Sequence, residues 1–139
     1  MDSLTRRNIM LENYQNPYHR GLVKDKDYLL FNTNNESCID NLDIQYQIQN
    51  GVISDIRFDG EACAVSTSAA SLMIKTFIGK TKAEVLDILE NYEKMLSGEE
   101  YDATKLGELI VYEDIGKQPN RRRCAYLPFE SLRKVSQKM

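Results

Sequence analysis

The alternation of apolar and polar residues predicts a β-hairpin in the first half of the chain. Its turn is Asn50-Gly51, a dipeptide typical of two-residue hairpin turns. On both sides of the turn, apolar residues alternate with polar ones, as expected of strands with one buried face. These apolar positions are Leu42, Ile44, Tyr46 and Ile48 before the turn, and Val52, Ile56 and Phe58 after it. A third strand is predicted over residues 27–33, which include a run of four apolar residues.

Helical spacing of apolar residues replaces this alternation elsewhere. The capping pair Thr81 and Glu84 begins a helix that Ser97-Gly98 ends. Its apolar stripe is Val85, Leu89, Tyr92 and Leu96. Further helices are predicted over residues 3–14, 64–78, 102–112 and 129–137, with a loop over residues 116–120. This order of elements predicts an α+β fold, in which a three-stranded antiparallel sheet has helices packed on one face.

Length and composition predict one soluble domain over residues 1–139. The hydrophobic fraction of 42% and the charged fraction of 28% are those of an ordinary globular protein. The sequence has no run of about 20 apolar residues for a membrane span and no apolar signal core near its start. The odd number of cysteines argues against a disulfide framework. We therefore expect a cytoplasmic protein that does not bind membranes.

Charge is unevenly distributed along the chain. Residues 84–114 contain ten acidic and two basic residues, and a basic cluster follows at Lys117 and at Arg121, Arg122 and Arg123. The acidic pI of about 5.2 and the lack of a basic face studded with aromatic residues argue against nucleic-acid binding. The basic cluster is either solvated surface or a docking patch for a protein partner. In the second case its field would also favour the thiolate of the adjacent Cys124.

The candidate functional residues are the three cysteines, Cys38, Cys63 and Cys124. Cys38 precedes one arm of the predicted hairpin and Cys63 follows the other, so a hairpin with short arms brings these two together. Cys63 also begins a predicted helix, whose dipole favours a thiolate. With Asp40, the three thiols make a four-ligand set that suits zinc or an iron–sulfur unit. No two cysteines have the tight CxxC spacing, and three unrelated buried thiols are the alternative.

Other classes of chemistry lack the residues that they need. His19 is the single histidine and lies in a predicted loop, so a positioned Cys–His pair of the protease type is not supported. The sequence contains neither a phosphate-binding glycine loop nor a dinucleotide-binding fingerprint. We therefore expect metal and sulfur handling, and not a hydrolase or an oxidoreductase.

Four ordered motifs resemble the iron–sulfur cluster assembly family of IscU and the N-terminal part of NifU. They extend from about Tyr14 to the C-terminus. The motifs are Tyr14-Gln15-Asn16-Pro17 with Gly21, residues 35–40 around the first cysteine, residues 58–66 around the second, and residues 123–127 around the third. Ile39 and Ala62 stand where the family has glycines. Neither change removes a ligand, but Ile39 should make the first cysteine loop stiffer.

Three features make the chain resemble the SufU branch of this family more than the scaffold branch. Arg123 stands where scaffold members carry a histidine, and residues 116–120 do not match their chaperone-recognition segment. The acidic helical segment at about residues 95–114 resembles an insertion typical of the SufU branch.

The resemblance implies a site and a partner. Cys38, Asp40, Cys63 and Cys124 would bind Zn²⁺, and Cys38 would accept persulfide sulfur from a cysteine desulfurase of the SufS type. Arg121 would help to dock that enzyme, and downstream iron–sulfur assembly proteins would be further partners. One alternative is a scaffold on which a [2Fe–2S] cluster is assembled and transferred, with iron or the cluster in place of zinc. Another is a non-catalytic interaction module stabilised by zinc.

Overall fold

The computed structural model describes residues 1–35 and 39–139. Within these residues, three strands form one sheet and five α-helices pack with it. The strands are β1 (Tyr28–Asn34), β2 (Asn41–Gln49) and β3 (Val52–Glu61). The helices are α1 (Ser3–Gln15), α2 (Ala64–Phe77), α3 (Lys82–Leu96), α4 (Pro119–Tyr126) and α5 (Glu130–Ser136). Short 3₁₀ segments follow α3 and α4, at Ala103–Lys105, Gly107–Tyr112, Ile115–Lys117 and Leu127–Phe129.

The sheet is antiparallel in the order β1-β2-β3. Asn50 and Gly51 join β2 to β3 with φ angles of 54° and 77°, the left-handed values that a tight hairpin turn needs. A register shift lies beside Ile48, which pairs with Ile53. The prediction placed Val52 on the apolar face. Because of this irregularity, Ile53 is fully buried instead, and Val52 is only half-buried.

The outer edge of β3 is covered by two other segments. Near the start of the strand, the N–H of Gly79 donates to the carbonyl of Ile53 at 2.7 Å. Near its end, the N–H of Gly21 donates to the carbonyl of Phe58 at 2.7 Å, and the N–H of Phe58 donates to the carbonyl of His19 at 3.3 Å. Both ends of this edge therefore carry backbone hydrogen bonds.

The helix α2 is the centre of the helical layer and contacts α1, β3 and α4. Small side chains such as the fully buried Ala69 allow this close packing, as predicted. Its buried hydroxyls are hydrogen-bonded, because an unpaired buried polar group is costly. Ser71 donates to Asn13 Oδ1 at 2.7 Å, and Ser68 pairs with the hydroxyl of Tyr112 at 2.6 Å. These contacts attach α1 and the Gly107–Tyr112 segment to α2.

The apolar core lies between the sheet and the helices. The helix α2 contacts β3, and α5 with the Leu127–Phe129 segment contacts β1. The predicted α+β fold, with helices packed on one face of a three-stranded antiparallel sheet, is confirmed. In the described residues, no helix has both the length and the apolar character that a membrane crossing requires.

The helix α3 has the predicted boundaries. The hydroxyl of Thr81 accepts from the N–H of Glu84, and the Glu84 carboxylate accepts from the N–H of Thr81, which completes the capping box. Gly98, with φ of 78°, follows the end of the helix. The four predicted stripe residues of α3 are all buried.

The region after α3 differs from the prediction. The predicted helix over 102–112 consists of 3₁₀ segments, and the predicted loop over 116–120 contains the start of α4, with Pro119 at its first position. Cys124 lies within α4, a helix that was not predicted. Gly116 allows its segment to pack closely against Leu96 at the end of α3, because a Cβ atom at position 116 would lie 2.9 Å from Leu96 Cα. The last predicted helix begins one residue later, at Glu130.

Candidate metal centre

Three potential metal ligands converge where the hairpin, α2 and α4 meet. One carboxylate oxygen of Asp40 and the sulfur atoms of Cys63 and Cys124 all lie within 4.8 Å of one another. The structure therefore brings together three of the four predicted ligands. The fourth, Cys38, lies outside the described residues.

The base of the hairpin places Asp40 beside Cys63. Asn41 and Glu61 are paired across β2 and β3, so the residues just outside this pair are neighbours. The N–H of Cys63 donates to Asp40 Oδ1 at 2.7 Å, and Cys63 Sγ lies 3.7 Å from Asp40 Oδ2. The hairpin therefore places Asp40 beside Cys63. The predicted proximity of Cys38 and Cys63 stays a prediction, because Cys38 lies outside the described residues.

Cys63 caps α2, as the sequence predicted. It is the residue before the helix, and its Sγ accepts from the N–H of Ser66 at 3.4 Å. A helix N-terminus offers free N–H groups and the positive end of the helix dipole. The sulfur of Cys63 therefore lies at a helix end whose free N–H groups can hydrogen-bond to it.

Cys124 comes from the other side of the site. Its Sγ lies 3.9 Å from the carbonyl of Asn120, one turn earlier in α4. Burial, together with neighbouring Cys63 and Asp40, raises the pKa of the Cys124 thiol to about 12. The expected effect of the adjacent arginines is therefore outweighed, because desolvation and the acidic neighbours favour the protonated thiol.

Ser66 is a site residue that the sequence analysis missed. It is fully buried, and its Oγ lies 2.8 Å from Asp40 Oδ2 and 3.0 Å from the carbonyl oxygen of Cys124. The available signal was position, since Ser66 is three residues after the capping Cys63 and shares its helix end.

Exposure differs sharply across the site. Asp40 is 1% exposed, whereas the preceding Ile39 is 69% exposed. The N–H of Asn35 donates to the carbonyl of Asp40 at 2.9 Å, so the backbones of these two residues are in contact. The ligand cluster therefore has a buried floor and an edge near the surface.

The remaining candidates lie around α4 or elsewhere. Arg121 is exposed, and among the described residues its side chain has no ion pair. Its neighbour Arg122 donates to the carbonyl of Gly116 at 2.8 Å. His19 Nδ1 lies 2.9 Å from Asp55 Oδ1, so the histidine is engaged with β3 and is not part of the ligand cluster.

Comparison with known proteins identifies the family of this chain. Residues 5–125 match the family of the NifU-like N terminal domain. The chain is 30% identical to the zinc-dependent sulfurtransferase SufU of Bacillus subtilis over 135 residues. This alignment covers 96% of this chain and 90% of that protein. It is 33% identical over 105 residues to the iron–sulfur cluster assembly scaffold protein IscU of Thermotoga maritima, covering 76% of this chain and 74% of that protein.

Solved structures show the same fold. A putative iron–sulfur cluster assembly scaffold protein for the SUF system from Fervidobacterium islandicum has a TM-score of 0.84 at 30% identity, covering 90% of this chain and 91% of that one. The N-terminal part of a NifU-like protein from Brucella abortus has a TM-score of 0.82 at 18% identity over 99% of this chain and 100% of that chain, and supports the fold alone. The chain therefore belongs to the family of NifU-like N-terminal domains, together with its SufU and IscU relatives.

Proposed function

We propose that this protein serves iron–sulfur cluster assembly by accepting sulfur from a cysteine desulfurase at a zinc-organised site. The observation that carries the proposal is the convergence of Asp40, Cys63 and Cys124 from three separate segments. The similarity to a relative named as a zinc-dependent sulfurtransferase supports it. So does the similarity to relatives named for iron–sulfur cluster assembly.

The donor set fits zinc. Zinc in proteins binds thiolate sulfur at about 2.3 Å and carboxylate oxygen at about 2.0–2.2 Å, usually with four ligands. Two ligands of one tetrahedral ion are then about 3.5–4 Å apart. The observed separation of 3.7 Å between Cys63 Sγ and Asp40 Oδ2 is in this range. Asp40, Cys63 and Cys124 would hold the ion, which would stabilise the thiolate forms of its ligands at neutral pH.

Cys38 completes the proposed set and is the sulfur acceptor. It is two residues from Asp40 in the sequence. Its neighbour Ile39 is strongly exposed, which supports access from solvent at this edge. The Cys38 thiolate would attack the outer sulfur of the desulfurase persulfide. A new S–S bond forms on Cys38, the S–S bond on the enzyme breaks, and the enzyme cysteine leaves as a thiolate.

Arg121 is the proposed docking residue. It is exposed on α4, three residues before Cys124, and its side chain has no ion pair in the described part of the chain. An unpaired guanidinium beside the site favours an acidic surface on the desulfurase. The chemistry needs reduced thiols, which supports the cytoplasm as the compartment.

A scaffold for a [2Fe–2S] cluster is the second candidate. The IscU relative at 33% identity favours it, because its name describes this activity. Cysteine thiolates are also the usual ligands of such clusters. In this case iron or the cluster would be the cargo of the same cysteines, and no persulfide would need to accumulate on Cys38.

One experiment separates these functions. The protein is purified without oxygen, its metal content is measured, and it is added to a cognate cysteine desulfurase while alanine release is followed. We expect one zinc per chain and faster alanine release, with the extra sulfur located on Cys38 by mass spectrometry. Cys38→Ala should abolish the stimulation. Absent stimulation together with a stable [2Fe–2S] cluster after reconstitution would support the scaffold. Bound zinc with neither activity would support the interaction module.

A further inference from the structure

Ser66 contacts every segment that contributes a described ligand. Its Oγ lies 2.8 Å from Asp40 Oδ2, 3.0 Å from the carbonyl oxygen of Cys124 and 3.6 Å from Cys63 Sγ. The side chain is completely buried, so water does not compete for these contacts. One hydroxyl therefore stands between the hairpin base, the start of α2 and the helix α4.

The carboxylate of Asp40 is held at both of its oxygens. Oδ1 accepts from the N–H of Cys63 at 2.7 Å, and Oδ2 accepts from the hydroxyl of Ser66 at 2.8 Å. The first donor belongs to the main chain and cannot be removed by exchanging the Cys63 side chain. The second is a single side-chain group, so exchange of Ser66 removes one of the contacts that orient the carboxylate.

Two neighbouring serines show that this contact is particular to Ser66. Ser68 and Ser71 are also buried in α2, but they bond to the hydroxyl of Tyr112 and to Asn13 Oδ1. They attach other parts of the fold and have no hydrogen bond to the described ligands. The three hydroxyls therefore lie on one helix and differ in what they hold.

We propose that Ser66 is a positioning residue of the metal centre, which orients the Asp40 carboxylate toward the ion shared with the two cysteines. Hydrogen bonds to metal-ligating carboxylates fix the orientation of the ligand, and their loss typically lowers metal affinity about 10–100-fold. This inference rests on the zinc-binding part of the proposed function, and it does not depend on sulfur transfer.

The first test compares Ser66→Ala with Ser68→Ala, since each variant removes one buried hydroxyl from α2. Zinc affinity is measured by competition with a chromophoric chelator, after circular dichroism has shown that each metal-free variant is folded. We expect Ser66→Ala to bind zinc about 10–100-fold more weakly than the unmodified protein. Ser68→Ala should stay within about 3-fold, because its hydroxyl does not contact the ligands. Equal losses in the two variants would overturn the assignment.

A double-mutant cycle tests whether Ser66 acts through Asp40. In an Asp40→Ala background, the additional change Ser66→Ala should alter zinc affinity by less than about 3-fold. The visible spectrum of bound Co²⁺ gives a second reading, since it reports the ligand set. The spectrum of Ser66→Ala should shift toward that of Asp40→Ala, while that of Ser68→Ala should not. If Ser66→Ala lowers zinc affinity in the Asp40→Ala background as much as it does in the unmodified protein, positioning through this carboxylate is refuted.

If Ser66→Ala does not fold, the pair Ser66→Thr and Ser66→Val replaces it. These side chains have nearly the same shape, so crowding affects both and only the hydroxyl differs. The threonine variant should bind zinc at least about 10-fold more tightly than the valine variant. Equal affinity of the two variants would refute the inference. The outcomes remain separable from the proposed function. Unmodified protein that binds no zinc refutes both, whereas protein that binds zinc without stimulating a desulfurase refutes only sulfur transfer.

Discussion

The two halves of the candidate metal centre are built in different ways. Asp40 and Cys63 flank a hairpin, are joined by a hydrogen bond of 2.7 Å, and lie next to the paired residues Asn41 and Glu61. Cys124 is 61 residues further along the chain than Cys63, and it reaches the site because α4 packs against α2. One half depends on local chain geometry, and the other depends on tertiary packing.

The two halves therefore depend on different interactions to form. A half-site formed by a hairpin and a helix cap can be held together by a few nearby hydrogen bonds. A ligand on a short helix after several 3₁₀ segments requires the surrounding packing to be complete. Bound zinc would join these halves, and this coupling makes metal affinity a sensitive probe of both.

The largest effect should follow removal of one ligand from either half. We expect Cys63→Ser and Cys124→Ser each to weaken zinc binding by about 100-fold or more, which exceeds the loss expected for a supporting residue. Competition with a chromophoric chelator measures this loss. Ser71→Ala, a buried change in α2 outside the site, serves as control. If Cys124→Ser binds zinc like the unmodified protein, the half on α4 does not belong to the centre.

The two thiols should also differ in chemical reactivity when zinc has been removed. The pKa of Cys124 is raised to about 12 by burial and its acidic neighbours, so this thiol is almost entirely protonated at pH 8. Alkylation requires the thiolate. We expect Cys124 to react at least about 10-fold more slowly than the half-buried Cys63, and its rate to keep rising with pH between about 8 and 10. Peptide mapping after timed iodoacetamide treatment measures both rates, and equal rates at pH 8 would contradict this difference.

Two glycines offer a comparison of the structural supports of each half. A Cβ at Gly60 would lie 2.2 Å from the carbonyl oxygen of Asn41, and φ there is 128°. A Cβ at Gly116 would lie 2.9 Å from Leu96 Cα. We expect Gly60→Ala to lower the free energy of unfolding by about 2–5 kcal/mol and Gly116→Ala by about 1–3 kcal/mol.

Chemical denaturation of the metal-free proteins measures both changes. Gly107→Ala is the control, because a Cβ there has open space and only the left-handed φ of 53° opposes it, at about 1–2 kcal/mol. A Gly60→Ala variant no less stable than this control would show that the hairpin base adjusts without cost.

The smallest effect should come from Arg121 of α4, the proposed docking residue. Arg121→Ala should raise the concentration of protein needed for half-maximal stimulation of the desulfurase by about 3–10-fold, since a charge at the rim of an interface contributes modestly. The maximal rate should be nearly unchanged. Arg7→Ala, which removes another exposed arginine from α1, should have no effect. A fall in maximal rate at saturating protein would instead give Arg121 a role beyond docking.

The sequence predicted the hairpin half of the site more fully than the α4 half. Alternating residues, an Asn-Gly turn and a capping box act over a few residues, so their consequences can be inferred without the fold. The start of α4 was missed because residues 117–123 are polar and lack an apolar stripe. Pro119, interpreted as a loop residue, was in fact the first residue of a helix.

Two further differences have a similar origin. Ile53 lies in the core, where the spacing of apolar residues predicted Val52. The cause is a shift in strand register, which this spacing does not reveal. Ser66 was not distinguished from Ser68 and Ser71, because a helix made largely of small residues has no pattern that shows which hydroxyl faces a ligand. Only its position one turn after Cys63 could have indicated it.

The covered edge of β3 also limits how a partner can approach the site. An exposed strand edge lets another chain add a strand through its main chain, a mode of recognition that depends little on side chains. Here the backbone of residues 19–21 and of Gly79 already pairs with β3. The strand β3 ends at Glu61, two residues before Cys63. The proposed desulfurase partner should therefore recognise this side of the protein through loops and side chains, so the specificity of recognition can change by point substitution without disturbing the sheet.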